Sequence, residues 1–189
     1  MKKKILVACL CVALAVLTIA GTTLAYLTAT TGPVKNTFTV GNINITLAET
    51  KTDFKMVPGC TIDKDPKVTV VAGSEKCYLF VKLEKSSNFD SFMTYSMADG
   101  WTQLKDTEEN DVAGVFYREV ATDGMGTAFS VLAGDKVSVR DTVTKTDMEN
   151  LTAATYPTLT VTAYACQYQK DNTTPFTAAE AWNNVNSAT

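Results

Sequence analysis

The sequence predicts an exported all-β protein that folds as an antiparallel β-sandwich with one or two short helices. Three observations support this prediction. A basic and then apolar segment opens the chain, short segments alternate apolar and polar residues, and clusters of Gly, Pro, Asp and Ser separate those segments. Alternation at period two is typical of strands that bury one face, so the alternating segments indicate strands.

The N-terminus is typical of a signal peptide. Lysines at positions 2–4 precede an uncharged apolar run over residues 5–20. A helix that spans a bilayer needs about 20 apolar residues, so a cleavable signal peptide over residues 1–25 is favoured over a permanent anchor. Cleavage after Ala25 is predicted because Thr23 and Ala25 then occupy the two small-residue positions, and Tyr26 becomes the new N-terminus.

Charge and composition exclude several classes of function. Removal of residues 1–25 takes away three lysines and changes the formal net charge from −3 to −6. This acidic balance argues against nucleic acid as a partner and limits membrane contact to the transient signal peptide. The chain has no histidine, which removes Ser-His-Asp, Cys-His and His-Glu-x-x-His sites. Lys/Ser or paired-carboxylate catalysis stays open, but no motif positions it, so we predict a protein that is not an enzyme and holds no metal or cofactor.

An uncharged arm and one long strand follow the predicted cleavage site. Residues 26–36 carry no charge before Lys35 and have no helical period, so we expect an extended arm ahead of a domain over residues 37–189. Residues 37–48 are interpreted as the anchor strand with which later strands pair. Their apolar phase slips at Gly41–Asn42, which indicates a β-bulge or, as the alternative, two short strands joined by a turn.

The next segments predict a turn and a hairpin. Pro58 and Gly59 occupy the positions that a type II turn requires. Residues 67–72 and 77–84 are predicted to pair as a hairpin through a loop at 73–75. In the second strand Tyr78 and Phe80 share a face that is apolar, which suggests cover by the arm, a loop or another molecule.

Three cysteines remain after the predicted cleavage, and an odd number cannot all pair within one chain. In the predicted hairpin Cys60 and Cys77 lie at opposite ends, too far apart for a disulfide. We expect Cys77 to pack as a small apolar residue. Cys166 has the opposite phase from its apolar neighbours, so it is expected to be partly exposed and available for an intermolecular bridge.

The middle of the chain is less regular. Phe89, Phe92 and Tyr95 indicate a short helical turn, and a brief strand is predicted to start at Gly100. Residues 105–111 form an acidic loop that could hold calcium. The regular spacing of calcium ligands is missing, so a solvated loop is favoured.

The C-terminal half predicts strands over 113–121, 128–132, 136–144 and 158–168. Thr146 with Glu149, and Thr177 with Glu180, have the spacing of capping boxes at the start of two short helices. Trp182 in the second helix is expected to cover one end of the sandwich.

Several short motifs, taken in order, resemble the TasA/camelysin family of Gram-positive exported proteins, including members with signal peptides of the SipW-dependent type. The similar segments span nearly the whole chain and are residues 21–27, 36–45, 58–59, 64–66, 101–104, 115–118, 159–165 and 180–182. The resemblance implies a jelly-roll domain, cleavage by a dedicated signal peptidase of the SipW type, and assembly into fibres of the extracellular biofilm matrix.

The resulting hypothesis is a secreted structural protein that self-associates by β-strand addition. Tyr26, Leu27 and Val34 of the arm would complete the sheet of a neighbouring copy, and the face of Tyr78 and Phe80 would accept them. Two other classes stay open. Camelysin-like surface proteolysis is one, although the chain lacks a recognisable zinc site. The other is a carbohydrate-binding adhesin that stacks sugars on exposed aromatic rings, with these candidates: Tyr95, Trp101 and Tyr168.

Overall fold

The computed structural model describes residues 42–51 and 54–187, and antiparallel strands make up most of its regular structure. This confirms the all-β class with a few short helices. The strands are β1 (Ile45–Ala48), β2 (Thr61–Asp63), β3 (Lys67–Val70), β4 (Cys77–Lys85), β5 (Met93–Thr94), β6 (Thr102–Lys105), β7 (Asp111–Val120), β8 (Ala128–Ser130), β9 (Lys136–Val139) and β10 (Leu159–Gln167). The helices are α1 (Phe89–Phe92), α2 (Lys145–Glu149) and α3 (Ala178–Asn186), with 3-10 turns at Thr122–Gly124 and Ala133–Asp135.

The largest sheet is built around β4, in the order β10-β4-β7-β6. β4 pairs antiparallel with β10 on one side and with β7 on the other, so both of its edges are used. Its alternation places Cys77, Leu79, Val81 and Leu83 on one face, as the sequence predicted, and these four side chains are buried. β4 therefore takes the central position that the sequence had suggested for the strand at 37–48.

The strand at 37–48 has a smaller part than predicted. Only β1 is a strand among its described residues, and β1 is an edge strand that pairs with β3. Ile45 is half-buried and Leu47 is 40% exposed, which is too little burial for an organising strand. The predicted bulge at Gly41–Asn42 begins at a residue outside the described ranges.

The predicted hairpin between β3 and β4 is wrong. β3 pairs with β1 and β8 in a second sheet, ordered β1-β3-β8. The intervening loop instead bonds to the segment before β1: the Glu75 amide donates to the Asn42 carbonyl at 3.0 Å, and the Asn44 amide donates to Ser74 Oγ at 3.1 Å. These hydrogen bonds hold the loop through which the chain crosses from the sheet of β3 to the sheet of β4. A third sheet has the order β2-β9-β5.

Local turn and cap chemistry agrees with the sequence in two places and differs in one. The turn at Pro58–Gly59 is confirmed, because the Cys60 amide donates to the Val57 carbonyl at 3.0 Å and Gly59 has φ +71°. The capping box of α3 is also confirmed, with Thr177 and Glu180 as its two members. α2, however, is capped by Thr144 and Asp147 and not by Thr146 and Glu149.

Two apolar clusters form the core. The first joins buried side chains of all three sheets, including Val68 and Val70 of β3, Leu79 and Val81 of β4, and Val137 of β9. The second lies on the opposite face of the four-stranded sheet, where α3 covers it. All the described residues belong to one compact unit, Val40–Thr189.

Candidate functional site: an aromatic face and an open strand edge

The second apolar cluster is built on the aromatic face of β4. Phe80 is fully buried and Tyr78 is 6% exposed. The ring of Trp182 lies 5.4 Å from Phe80 and 5.3 Å from Tyr164 between centroids. The Tyr78 hydroxyl donates to the Phe176 carbonyl at 2.9 Å. The segment that ends in α3 therefore supplies the cover that this face needs.

This cover corrects the expectation that Tyr78 and Phe80 form a strand-acceptor face. The sequence suggested cover by the arm, a loop or another molecule, and the structure places the molecule's own α3 there. Strand addition also requires a sheet edge with unpaired backbone groups, whereas Tyr78 and Phe80 are paired on both sides, with β10 and with β7. Trp182 covers the face of the sheet and not one end of the fold.

The four-stranded sheet has two edges, β6 and β10. β6 has four residues, and its register with β7 shifts between Gln103 and Lys105. β10 has nine residues, and each of them has a partner in an unbroken register on β4. Bulges and short length protect an edge against further pairing, so β6 is protected and β10 is not.

The hydrogen-bond pattern shows which backbone groups of β10 face outward. The Ser86 amide donates to the Thr158 carbonyl at 3.0 Å, and the Tyr168 amide donates to the Lys76 carbonyl at 3.0 Å. Hydrogen-bonded and non-hydrogen-bonded pairs alternate in antiparallel ladders, so even-numbered residues from 158 to 168 bond to β4. The odd-numbered residues direct their N–H and C=O groups away from the sheet, and they are Leu159, Val161, Ala163, Ala165 and Gln167. Over the described ranges, no strand is hydrogen-bonded to this edge, although β1 lies close to β10.

The predicted arm and cleavage site cannot be placed against this edge. Ala25, Tyr26, Leu27 and Val34 all lie outside the described residues.

The cysteines differ from one another in exposure. Cys77 is fully buried, as predicted, and burial raises the pKa of its thiol to about 11, with a smaller contribution from Cys166. Cys166 is buried, which corrects the expectation of partial exposure, because α3 covers the face toward which it points. Cys60 is the exposed thiol of the three.

The acidic loop at 105–111 uses its first carboxylate to close its own turn. Asp106 Oδ1 accepts from the amides of Glu108 at 2.8 Å and Asn110 at 2.9 Å. These hydrogen bonds hold the pKa of Asp106 below its usual value. Among the described residues no group of three or more His, Cys, Asp or Glu side chains is arranged to hold a metal ion.

The three aromatic residues considered for sugar stacking are half-buried and engaged by their neighbours. Trp101 donates from Nε1 to the Ser130 carbonyl at 2.8 Å, and the Arg118 guanidinium lies over its ring. Tyr168 stacks on Tyr78 at 5.2 Å and carries Lys76 Nζ 3.2 Å from its ring centre. Tyr95 packs edge-on against Phe89, and burial raises the pKa of its hydroxyl.

The described residues form an antiparallel all-β fold in which the long edge strand β10 has a hydrogen-bonded strand on one side only. No family model, curated protein or solved structure matches the chain. None of the helices in residues 42–51 and 54–187 combines the length and hydropathy needed to cross a bilayer.

Proposed function

We propose that this chain is a secreted structural subunit of an extracellular biofilm matrix and that it forms fibres by β-strand addition. The domain in this proposal is a jelly-roll-like β-sandwich. Support for the sandwich comes from the first apolar cluster, which joins side chains of the four-stranded sheet to those of both smaller sheets. Support for the matrix role comes from the resemblance to the TasA/camelysin family.

The observation that carries the assembly proposal is the sequence of β10, Leu159–Gln167. It contains no proline, no charged residue and no register shift. Edge strands in soluble proteins are generally protected by lysine, proline or a bulge, because an unprotected edge pairs with other chains. β10 has the features of an edge that is meant to be paired.

The donor in this proposal is the arm at residues 26–36 of a neighbouring copy, exported by cleavage after Ala25. The arm is about as long as β10 and is uncharged as far as Lys35. Its main-chain groups would pair with the outward groups of odd-numbered residues in β10, and Tyr26, Leu27 and Val34 would supply side-chain contacts. The acceptor is thus moved from β4 to β10.

One substitution tests the edge directly. Ala163→Pro removes an outward N–H of β10 but no hydrogen bond to β4, and proline is tolerated where a strand N–H faces away from its sheet. We expect this variant to fold, as judged by circular dichroism, and to form no fibres by electron microscopy. Ala163→Ser, which keeps the N–H, should form fibres like the parent chain.

Deletion of residues 26–35 tests the donor. We expect the deleted chain to stay monomeric in size-exclusion chromatography as its concentration rises. Fibres from either the deleted chain or a folded Ala163→Pro variant would refute strand addition at this edge.

A further inference from the structure

A cavity of about 860 Å³ lies beside the first apolar cluster, within the compact unit. Its size is within the range of roughly 300–1,000 Å³ that is typical of small-molecule sites. All three strands of the third sheet, two short helices and the chain after α2 contribute to its wall. Apolar residues of the wall include Ile62, Phe89, Met93, Val137, Met148 and Leu151.

Methionine is prominent in this wall. Met56, Met93 and Met148 line the cavity, which is half of the six methionines in the chain. Methionine is unbranched and flexible, so a wall of this kind adapts to irregular apolar ligands. A flexible acyl chain suits such a wall better than a rigid ring system does.

The charged groups around the cavity have one sign. Lys55 and Lys64 line it, and no Asp or Glu does, in a chain with a formal net charge of −3. Lys64 is already paired, because its Nζ lies 2.7 Å from Glu49 Oε1 and the two side chains are only 11% and 18% exposed. Lys55 is exposed and forms no ion pair with another described residue. Within the part of the chain that the structure describes, Lys55 is thus a cation without an ion-pair partner at an apolar cavity.

We propose that this cavity binds a single-chain amphiphile with a carboxylate head group, of the fatty-acid class. The acyl chain lies along Phe89, Met93 and Met148, and the carboxylate lies at Lys55. Burial of apolar surface supplies the affinity, and the lysine selects the anionic head group. This binding does not depend on strand addition, since it uses neither the outward edge of β10 nor the arm.

The proposal predicts two dependences of affinity. Each methylene added to a chain that still fits should tighten binding by up to about fourfold. Replacing the carboxylate by an uncharged hydroxyl should weaken binding by a few-fold, as expected for the loss of one partly exposed ion pair.

The test uses palmitate, the uncharged alcohol of the same chain length, and the full-length chain in isothermal titration calorimetry. Every variant keeps the same N-terminal segment, so differences between variants report on the cavity alone. Ala153→Trp fills the cavity from an exposed wall position, and Leu151→Trp fills it from a half-buried one. Lys55→Glu reverses the charge of a lysine at the cavity, and Lys136→Glu makes the same change at an exposed lysine that does not line the cavity.

We expect both tryptophan variants to bind palmitate and the alcohol about tenfold or more weakly, because each tryptophan takes up the room for the acyl chain. Lys55→Glu should weaken the binding of palmitate by about fivefold and leave the binding of the alcohol unchanged. Lys136→Glu should change the affinity for neither ligand. Palmitate that binds a folded Ala153→Trp variant as tightly as the parent would overturn the proposal. So would equal effects of Lys55→Glu and Lys136→Glu, or binding of phospholipid vesicles but not of free palmitate.

Discussion

At the scale of single residues, Gly114 of β7 leaves no room for a side chain beside Leu83 of β4. It has φ +69°, and a Cβ placed on it would overlap the main-chain carbonyl oxygen of Leu83. Main chain cannot move aside as a flexible side chain can, so two costs add at this position. One is the left-handed conformation, and the other is the overlap.

We therefore predict that Gly114→Ala lowers the free energy of unfolding by about 3 kcal/mol, combining conformational strain with overpacking. Gly73→Ala is the matched control, because Gly73 has φ +85° and no atom lies within 4 Å of its added Cβ. Strain alone should cost that variant about 1 kcal/mol. Urea denaturation of both variants makes the comparison, and equal losses would show that the overlap with Leu83 is relieved without cost.

The N-cap of α2 shows how far a cap residue can be predicted from the sequence. Thr144 with Asp147 and Thr146 with Glu149 both have the spacing of a capping box. The structure uses Thr144, which directly follows the buried Val143. The sequence predicted only Thr146 with Glu149, because glutamate is the usual third residue of a capping box, and in the structure Asp147 takes that role.

At the scale of elements, the alternation of apolar and polar residues predicted where strands lie but not which strands pair with each other. The buried face of β4 follows from period two alone and is confirmed. The partner of β3 could not be read from the sequence, because a short glycine-containing loop fits a hairpin as well as a crossing between sheets. In the structure the loop joins two sheets and is hydrogen-bonded to Asn42 and Asn44, which are distant from it in sequence.

Loss of α3 would expose the aromatic face of β4. Trp182 is 5% exposed and lies between Phe80 and Tyr164. Trp182→Ala should lower the free energy of unfolding by about 3–5 kcal/mol, the range for large-to-small changes in cores. The matched control is Asn183→Ala on the exposed side of the same helix, which should change stability by less than about 0.5 kcal/mol.

The same pair of variants checks the function of α3 as a cover. Trp182→Ala should increase the fluorescence of a dye that binds apolar surface, because the face of Tyr78 and Phe80 becomes accessible. Unchanged dye binding by a destabilised Trp182→Ala variant would mean that the rest of α3 keeps this face covered.

At the scale of the whole molecule, the class of fold could be predicted and the surfaces could not. Alternating segments with turn residues between them require sheets, whatever their order. The open edge of β10 depends on which strands pair. The cavity is lined by separate segments from Phe54 to Leu159, so no local pattern in the sequence indicates it.

Burial of the Cys77 thiol and the Tyr78 hydroxyl makes the stability of the whole molecule sensitive to alkaline pH. Burial raises the pKa of Cys77 to about 11 and that of Tyr78 to about 12, whereas unfolded chains have values of about 8.5 and 10. Above about pH 8.5 the unfolded chain therefore loses protons that the folded chain keeps. The contribution of Cys77 is fully present below that pH and is lost as the pH rises toward 11.

We predict that the free energy of unfolding falls by up to about 1.4 kcal/mol per pH unit for Cys77 alone between about pH 9 and 10.5. Urea denaturation at a series of pH values measures the slope. Cys77→Ala should be less stable at neutral pH but should show a shallower slope, because its thiol no longer titrates on unfolding. Cys60→Ala keeps the buried thiol and should keep the parental slope. An unchanged slope in Cys77→Ala would assign the alkaline loss to Tyr78 and the other tyrosines and not to the thiol of Cys77.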